Sequence, residues 1–273
     1  MQSMKANHFY KLHQGADILV LPNAWDSVSA RLFEQAGFPA IATTSAGIAL
    51  AQGYSEPENI SRDAMLQAIK SIVQAVTVPV TVDMEAGYAS DPQGVAETVK
   101  MVIDVGAVGI NLEDIIDNNL LAVDTQVERL HAARHASTEL NAPFVINART
   151  DIYLFDIGEP HEQFEQVVMR ANQYFEAGAD CVFIPGVGDP EIIAELVREI
   201  HGPINILANA NVPAIRTLQQ LGVKRVSTGS GPMRASLSLI RRIAGELMTS
   251  GTYEQFTVDT MSYAEANQLF STD

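Results

Sequence analysis

The sequence predicts an α/β fold, a (β/α)8 barrel of the TIM type, from three observations. Short β-rich runs alternate with longer amphipathic stretches eight times through residue 248. Three helical stretches end in a similar glycine-containing sequence, AGF, AGAD or LGV, just before a strand. The 273 residues, 47% of them hydrophobic, suffice for such a barrel, which takes about 250 residues. Strict alternation favours a closed parallel barrel over an open sheet.

The expected elements follow one another without a linker or a low-complexity segment. Strands are expected at 18–22, 40–44, 78–84, 108–113, 144–149, 181–186, 204–209 and 225–229. Helices are expected at 26–36, 57–76, 92–104, 123–139, 159–177, 189–200, 213–220 and 232–248. We therefore predict a single domain over 1–273, with its barrel core at about 16–248 and an extra C-terminal helix over 252–270.

Composition excludes several classes of function. The formal net charge of −16 argues against binding to nucleic acid or to an anionic membrane, because both require basic surfaces. No apolar run approaches the roughly 20 residues of a membrane span, and the first residues show no apolar signal region. A single cysteine, Cys181, excludes an internal disulfide framework and predicts a reducing, cytoplasmic setting.

Four carboxylates lie at the ends of two neighbouring expected strands. Asp83 and Glu85 close VTVDMEAGY, and Glu113 and Asp114 close INLED. Two carboxylates about 5–6 Å apart repel by roughly 3 kcal/mol at an effective dielectric near 20, so a fold tolerates such a cluster when it is solvated, protonated or neutralised by a cation. Oxygen ligands suit Mg²⁺ that keeps several waters, with Mn²⁺ as the alternative ion. The competing interpretation is that these acids cap the following helices.

Other polar residues at strand ends indicate an anionic ligand. Asn147 and Arg149 lie two apart on one strand, and the guanidinium fork of Arg149 suits a carboxylate or a phosphonate. The alternative role of Arg149 is that of counter-ion to the acids. In TTSAG, the backbone N–H groups at Thr44 and Ser45 are placed to face a developing oxyanion. The remaining strand-end polar residues include Asn23, Trp25, Asp26, Asp151, Asn209, Asn211 and Ser227 to Ser230.

In six segments the chain resembles the isocitrate lyase/phosphoenolpyruvate mutase superfamily. They are PNAWDSVSARLFEQAGFPAIATTSAG, VPVTVDMEAGY, GINLED, VINARTD, EAGADCVFIPG and GPMRASLSLI, in this order. The resemblance implies a barrel whose eighth helix is exchanged between neighbouring subunits, giving dimers that pair into tetramers. It also implies Mg²⁺ at Asp83, Glu85 and Glu113, partly through waters, with a 2-oxo acid chelating the metal.

The resemblance assigns the substrate contacts as well. Arg149 would hold the carboxylate or the leaving group, and the backbone near Thr44, Ser45 and Ala46 would bind the enolate side. The expected substrate-binding set also contains Asp83 and three strand-end residues, which are Trp25, Asn147 and Asn209.

The chain departs from the superfamily in two motifs, and these departures reduce the number of reactions expected of it. The lyases carry a Lys-Lys-Cys-Gly-His loop after strand four, whereas LEDIIDNNLLAVD here is short and has no Lys, Cys or His. The mutase branch has Asp-x-Asp-Thr-Gly-Tyr-Gly and Glu-Asp-Lys, whereas this chain has Asp-Met-Glu-Ala-Gly-Tyr and no such lysine. The strand-two aspartate of that branch aligns with Glu56, which would serve as an acid or a base.

The expected function is that of a Mg²⁺-dependent lyase acting on a small 2-oxo (di)carboxylate through an enolate, with oxaloacetate decarboxylation as the leading candidate. Loss of CO₂ needs only charge acceptance at the ketone oxygen. The expected catalytic residues are Arg149, Glu56 and Thr44. One alternative is a mutase-like or methylisocitrate lyase-like enzyme, with Glu56, Tyr54 or Tyr88 transferring protons. The other is a 2-oxo acid binding protein with little turnover.

Overall fold

Strands and helices alternate along the chain in the computed structural model, which describes residues 2–55 and 57–271. The strands are β1 (Leu19–Leu21), β2 (Asn23–Ala24), β3 (Ile41–Thr43), β4 (Val80–Asp83), β5 (Gly109–Glu113), β6 (Ile115–Ile116), β7 (Asn119–Leu120), β8 (Val145–Arg149), β9 (Cys181–Ile184), β10 (Ile204–Leu207) and β11 (Arg225–Ser227). The helices are α1 (Gln2–His13), α2 (Ser27–Gln35), α3 (Ser45–Ala51), α4 (Arg62–Ala75), α5 (Pro92–Asp104), α6 (Val123–Glu139), α7 (Pro160–Glu176), α8 (Pro190–Glu199), α9 (Ile215–Leu221), α10 (Gly231–Thr249) and α11 (Tyr263–Gln268).

The large sheet is a nearly closed parallel barrel, as predicted. Its strand order is β1-β11-β10-β9-β8-β5-β4-β3-β2. The two ends of this order, β1 and β2, are halves of one extended stretch that Pro22 interrupts, because proline has no N–H to donate to the ladder. Leu19 pairs with Arg225 on one side, and Asn23 pairs with Ala42 on the other. The stretch 19–24 therefore joins the two edges of the sheet.

Glycines end the helices where the sequence predicted helix stops. Gly37, Gly178 and Gly222 adopt left-handed backbone conformations with φ of 91°, 102° and 95°. This region is open to glycine at little cost, so the helix can end there and the chain can turn into the next strand. The AGF, AGAD and LGV sequences are thus confirmed as helix stops.

Two predicted helices differ from the structure. The helix expected over 57–76 begins only at Arg62, where the Ser61 side chain caps it by accepting a hydrogen bond from the amide of Ala64. The segment 252–270 is not one helix but a three-residue 3-10 turn, Glu254–Phe256, followed by the six-residue α11. The left-handed backbone at Asp259, with φ of 52°, separates the two.

No helix within 2–55 and 57–271 is long and apolar enough to cross a membrane.

Helix α1, which is not among the helices expected from the sequence, covers the amino-terminal end of the barrel. Its Phe9 is fully buried and packs in a cluster with Leu19, Leu21 and other residues near strand starts. His13 is buried beside it and its Nδ1 donates a hydrogen bond to the carbonyl of Phe9, at 2.9 Å. Burial, followed by the positive charge of Arg225, lowers the pKa of His13 to about 3.

The burial of His13 at the amino-terminal end of the barrel predicts that the stability of the protein depends on pH. The pKa of His13 falls from 6.5 to about 3 on folding, so below pH 6.5 the unfolded chain binds a proton that the native protein does not. We expect the free energy of unfolding to decrease as pH falls through this window, by up to about 1.4 kcal/mol per pH unit from this group. Urea unfolding at several pH values should show a shallower dependence for His13→Gln. Parallel pH profiles for the two proteins would contradict the assignment.

Candidate active site

A cavity of about 420 Å³ opens at the carboxyl ends of the barrel strands. This is the end at which barrel enzymes place their chemistry. Its polar lining consists of Asn23, Thr44, Ser45, Glu58, Asp83, Glu85, Asn111, Glu113, Asp117, Asn118, Arg149, Ser227 and Ser230. The structure thus brings the three predicted metal carboxylates and Arg149 to one cavity.

Asp83 ends β4 and is held by the start of α3. Its Oδ2 accepts hydrogen bonds from the backbone N–H of Ser45, at 3.3 Å, and from the Ser45 hydroxyl, at 2.9 Å. Thr44 caps α3, because its Oγ1 accepts a hydrogen bond from the amide of Gly47 at 3.3 Å. The predicted donor turn therefore lies in the cavity, and one of its amides orients Asp83.

Glu85 lines the same cavity, but its backbone conformation differs from the one expected. Alternation along a continuous strand would have placed Glu85 on the same face as Asp83. In the structure β4 ends at Asp83, and Glu85 has a left-handed backbone with φ of 51°. Such a conformation in a non-glycine residue costs of the order of 1 kcal/mol and is concentrated at functional sites. The amide of Glu58 donates to Glu85 Oε2 at 2.7 Å, and the Tyr88 hydroxyl donates to Oε1 at 3.4 Å.

The loop around Glu58 clasps the loop after β4. While the Glu58 amide binds Glu85, the Glu58 carboxylate accepts a hydrogen bond from the amide of Tyr88, at 2.9 Å. Burial raises the pKa of Glu58, whereas its hydrogen bond from Tyr88 opposes the rise. A carboxyl group with a raised pKa that lines the cavity is suited to proton transfer. Glu56, the predicted acid or base in this loop, lies outside the described residues.

Glu113 and Arg149 face each other on neighbouring strands. Their Cα atoms are partners in the β5–β8 register, and Glu113 Oε2 lies 2.9 Å from Arg149 Nη2. Arg149 Nε also donates to Asp151 Oδ1 at 2.7 Å. Burial raises the pKa of Glu113 well above its usual value, against the lowering effect of Arg149. Arg149 is therefore a counter-ion in this cluster, and as a lining residue it is also placed to meet a ligand.

Asp114 is separate from this cluster, although it is adjacent to Glu113 in sequence. It is fully buried, and its Oδ2 accepts hydrogen bonds from Tyr174 Oη at 2.7 Å and from Arg170 Nη1 at 3.2 Å. Its Oδ1 accepts a hydrogen bond from the amide of Asp151, at 3.0 Å. Asp114 thus ties helix α7 to the loops after β5 and β8, and it does not line the cavity.

Three of the predicted substrate-binding residues lie away from the cavity lining. Trp25 is half-buried and packs against the core. Asn147 is fully buried and its Nδ2 donates to Asn111 Oδ1 at 2.8 Å, one layer deeper than Arg149. Asn209 is exposed and donates to the carbonyl of Leu207, at 3.3 Å. Thr44, Ser45, Ala46, Asp83 and Arg149 do line the cavity.

Two polar residues close to the site, Asn111 and Arg225, were not predicted from the sequence. Asn111 lines the cavity and its Oδ1 also accepts a hydrogen bond from the fully buried Arg225, at 3.3 Å. Asn111 precedes Glu113 by two residues on β5, the same spacing that identified Asn147 with Arg149. This spacing was the signal that would have found it. No comparable local pattern marks Arg225, because its place is set by strand order.

Buried Arg129 on α6 holds together the two loops that carry the acids. Its guanidinium donates to the carbonyl oxygens of Ala86, of Ala89 at 3.2 Å and of Glu113 at 3.3 Å. The loops after β4 and β5 are thereby joined through one side chain. Arg129 thus connects the backbone next to Glu85 with the backbone of Glu113.

The three acids of the cavity, Asp83, Glu85 and Glu113, suit a divalent ion that keeps bound waters. Within residues 2–55 and 57–271, no three His, Cys, Asp or Glu side chains converge closely enough to hold an ion by themselves. Asp83, Glu85 and Glu113 nevertheless line one cavity, and both hydrogen bonds received by Asp83 fall on Oδ2. Mg²⁺ is commonly bound by one or two carboxylates and several waters. The donor set fits such a hydrated ion and does not fit a cage of three carboxylates.

Comparison with known proteins agrees with the fold. Residues 9–248 match the sequence profile of the phosphoenolpyruvate phosphomutase family. The crystal structure of a Burkholderia cenocepacia J2315 protein, described as a candidate lyase/mutase, superposes with a TM-score of 0.92 and 36% identity, covering 99% of this chain and 97% of that one. A Mycobacterium tuberculosis protein of uncharacterised function is 35% identical over 229 residues, which is 84% of each chain.

A relative with a named activity is more distant. The 2-methylisocitrate lyase of Escherichia coli K12 is 28% identical over 261 residues, covering 88% of this chain and 82% of that one. The predicted superfamily is thus confirmed. The chain belongs to the phosphoenolpyruvate phosphomutase family, within the isocitrate lyase/phosphoenolpyruvate mutase superfamily of lyases and mutases.

Proposed function

We propose that the protein is a Mg²⁺-dependent carbon–carbon lyase that acts on a small 2-oxo carboxylate through an enolate. The reaction that suits its cavity best is decarboxylation of a 2-oxo dicarboxylate of the oxaloacetate type. One observation carries the proposal: Asp83, Glu85, Glu113 and Arg149 line one cavity whose neighbouring loop carries no Lys, Cys or His. Mn²⁺ would serve as a substitute ion.

The loop after β5 limits the chemistry. It forms a short antiparallel hairpin of β6 and β7, and its turn residues Asp117 and Asn118 have φ of 50° and 60°. Two consecutive left-handed residues are typical of a type I′ turn, which joins two strands tightly. The hairpin presents Ile115 and Ile116 to the cavity. Asp117 in the turn also lines the cavity, so this loop offers a carboxyl group but no Lys, Cys or His. A cleavage that requires a Lys, Cys or His from this loop is therefore disfavoured.

Decarboxylation asks little more of the protein than binding and charge placement. Bound Mg²⁺ would supply charge at the ketone oxygen. Arg149 would bind a substrate carboxylate, and Ser45 would keep Asp83 in place. When the C3–C4 bond breaks, CO₂ leaves and its electron pair remains in the enolate of the product. A proton then adds at C3, and Glu58, which lines the cavity and whose pKa is raised by burial, would donate it.

The second candidate is a 2-oxo acid binding protein with little turnover. It is favoured by the absence, within the described residues, of three carboxylates that converge on one point. A mutase-like or methylisocitrate lyase-like reaction is the remaining alternative, since relatives of this chain carry those names.

These candidates are separated by incubating the protein, with and without Mg²⁺, with oxaloacetate, phosphonopyruvate and methylisocitrate separately. Products are followed by proton and phosphorus NMR. Mg²⁺-dependent pyruvate from oxaloacetate, well above the metal-only control, is the expected result. Product from either of the other compounds would assign the protein to the corresponding branch. Thermal stabilisation by Mg²⁺ and a 2-oxo acid without product would support the binding protein.

We also propose that the protein assembles through α10, as its superfamily resemblance implies. Of the 19 residues of this helix, only Met233 is buried, whereas Leu237, Ile240 and Leu247 are exposed by 42%, 59% and 44%. An amphipathic helix whose apolar face is uncovered in the monomer is typical of a subunit interface.

The setting we propose for the protein is the reducing cytoplasm, and the single, buried Cys181 is consistent with it.

This assembly can be tested by light scattering after gel filtration. The expected mass is that of a dimer or a tetramer, and Ile240→Glu is expected to lower it, because a carboxylate would be buried in the interface. A matched control is Leu140→Glu, which lies 48% exposed at the end of α6. A monomer at micromolar concentration would contradict the proposal.

A further inference from the structure

The cavity has a polar side and an apolar side. In the strand order, β3, β4 and β5 are neighbours, and their ends provide Ser45, Asp83 and Glu113. Across the barrel, β9 and β10 are neighbours, and their ends provide Phe183, Pro185 and Leu207. Because the sheet closes on itself, these two groups face each other over the cavity. Arg149 on β8 lies beside the second group, with its guanidinium carbon 5.7 Å from the centre of the Phe183 ring, but the proposed chemistry uses none of the apolar side chains.

The apolar side continues to the mouth of the cavity. Leu154 and Phe155 follow β8 and line the cavity, yet they are 43% and 49% exposed. Ile115 and Ile116 line it from the hairpin after β5. Large apolar side chains left in solvent at a cavity mouth gain free energy when a ligand covers them. A small, fully polar substrate would leave these apolar side chains exposed to solvent.

The charges of the cavity limit how many anionic groups a substrate can carry. Its lining includes five carboxylates but, among the described residues, one cationic side chain. That cation, Arg149, is already paired with Glu113 and Asp151. Mg²⁺ and Arg149 together can accept the two carboxylates of a 2-oxo dicarboxylate. A third anionic group would face the apolar side or further acids without a counter-charge.

We infer that the substrate carries an apolar substituent at C3, so that it is a 3-alkyl-2-oxosuccinate and not oxaloacetate itself. This inference rests on the proposed function, which supplies the 2-oxo dicarboxylate core. The core binds on the polar side, and the C3 substituent packs against Phe183, Leu207 and the exposed pair Leu154 and Phe155. The reaction is unchanged: the C3–C4 bond breaks, CO₂ leaves, and a proton replaces it at C3.

The first test compares kcat/KM for oxaloacetate, 3-methyl-2-oxosuccinate and 3-isopropyl-2-oxosuccinate, each corrected for decarboxylation without protein. Each methylene group removed from water contributes a factor of about four. The isopropyl compound is therefore expected to exceed oxaloacetate by about tenfold or more. Equal values, or a preference for oxaloacetate, would overturn the inference while leaving the proposed function intact.

The second test measures binding of stable 2-oxo acids in the presence of Mg²⁺ by calorimetry. 2-Oxo-4-methylpentanoate, the product of the isopropyl compound, is expected to bind about tenfold more tightly than pyruvate and than 2-oxoglutarate. If it binds so without any turnover of the dicarboxylates, the inference about the apolar side holds and the proposed lyase reaction fails. If none of these acids binds, both fail.

Variants assign the effect to the apolar side. Phe155→Ala and Leu154→Ala should each reduce the ratio of isopropyl compound to oxaloacetate by about threefold or more. Phe155→Lys should shift the binding preference toward 2-oxoglutarate, because it adds the missing second cation. Leu140→Ala removes an equally exposed leucine outside the cavity and should leave the ratio unchanged. Ratios that do not respond to the Phe155 and Leu154 variants would contradict the inference.

Discussion

Replacing Asp83 by alanine is expected to lower turnover of a 2-oxo dicarboxylate by on the order of 10³-fold, because a metal held here would supply several kcal/mol of transition-state stabilisation. Asp83 is the carboxylate that the start of α3 orients, through two hydrogen bonds from Ser45. We expect Mg²⁺ or Mn²⁺ to raise the melting temperature of the unchanged protein, and the loss of Asp83 should abolish that rise. Both effects are measured on the same preparation, by NMR assay and by thermal unfolding.

A matched control for this variant is Asp104→Ala. Asp104 ends α5 on the exposed surface, so its removal changes the net charge equally without touching the cavity. The isosteric Asp83→Asn should behave like Asp83→Ala in the metal assay, which separates loss of charge from loss of volume. Retention of activity and of the metal response in Asp83→Ala would refute the proposed role of the acid cluster.

Arg170→Met is expected to cause the largest loss of stability among the substitutions considered. Arg170 is buried and pairs with Asp114, and it also donates to the carbonyl of Leu121 at 2.8 Å. Removing one member of a buried pair typically costs about 3–5 kcal/mol, because the other charge remains without its partner. In a chain of this length the melting temperature should fall by about 10 °C.

The control for Arg170→Met is Arg198→Met. Arg198 forms ion pairs with Glu195 and Glu199 at the surface, with 65% of its side chain exposed. Exposed pairs contribute about 0–1 kcal/mol, so this variant should melt close to the unchanged protein. Equal melting temperatures for the two variants would show that Asp114 does not depend on Arg170.

The barrel was predictable because its signals are local. Strands buried on both faces are short apolar runs, and glycines such as Gly37 and Gly178 end helices by a conformation that other residues avoid. The structure of the C-terminal segment 252–270 could not be predicted from local signals of this kind. Whether 252–270 forms one helix depends on backbone conformations such as that of Asp259, and the amphipathic pattern does not specify them.

The candidate site was predictable in its membership more than in its geometry. Strand spacing placed Asn147 and Arg149 on one face, but Asn147 is fully buried and donates to Asn111, its partner in the β5–β8 register, and it is Asn111 that lines the cavity. The contact of Glu58 with Glu85 joins two loops that are distant in sequence, and no local pattern encodes it. The apolar side of the cavity, with Phe183 and Leu207, likewise depends on which strands the barrel places opposite β4.

The central claim, that the acid cluster supports an enolate, is tested most directly by hydrogen exchange at C3 of a bound 2-oxo acid. Pyruvate and 2-oxo-4-methylpentanoate are incubated in D₂O with the protein and Mg²⁺, and loss of the C3 proton signals is followed by NMR. We predict exchange that requires both protein and Mg²⁺ and that disappears in Asp83→Ala. Exchange no faster than in Mg²⁺-containing buffer, although both acids bind, would contradict the claim.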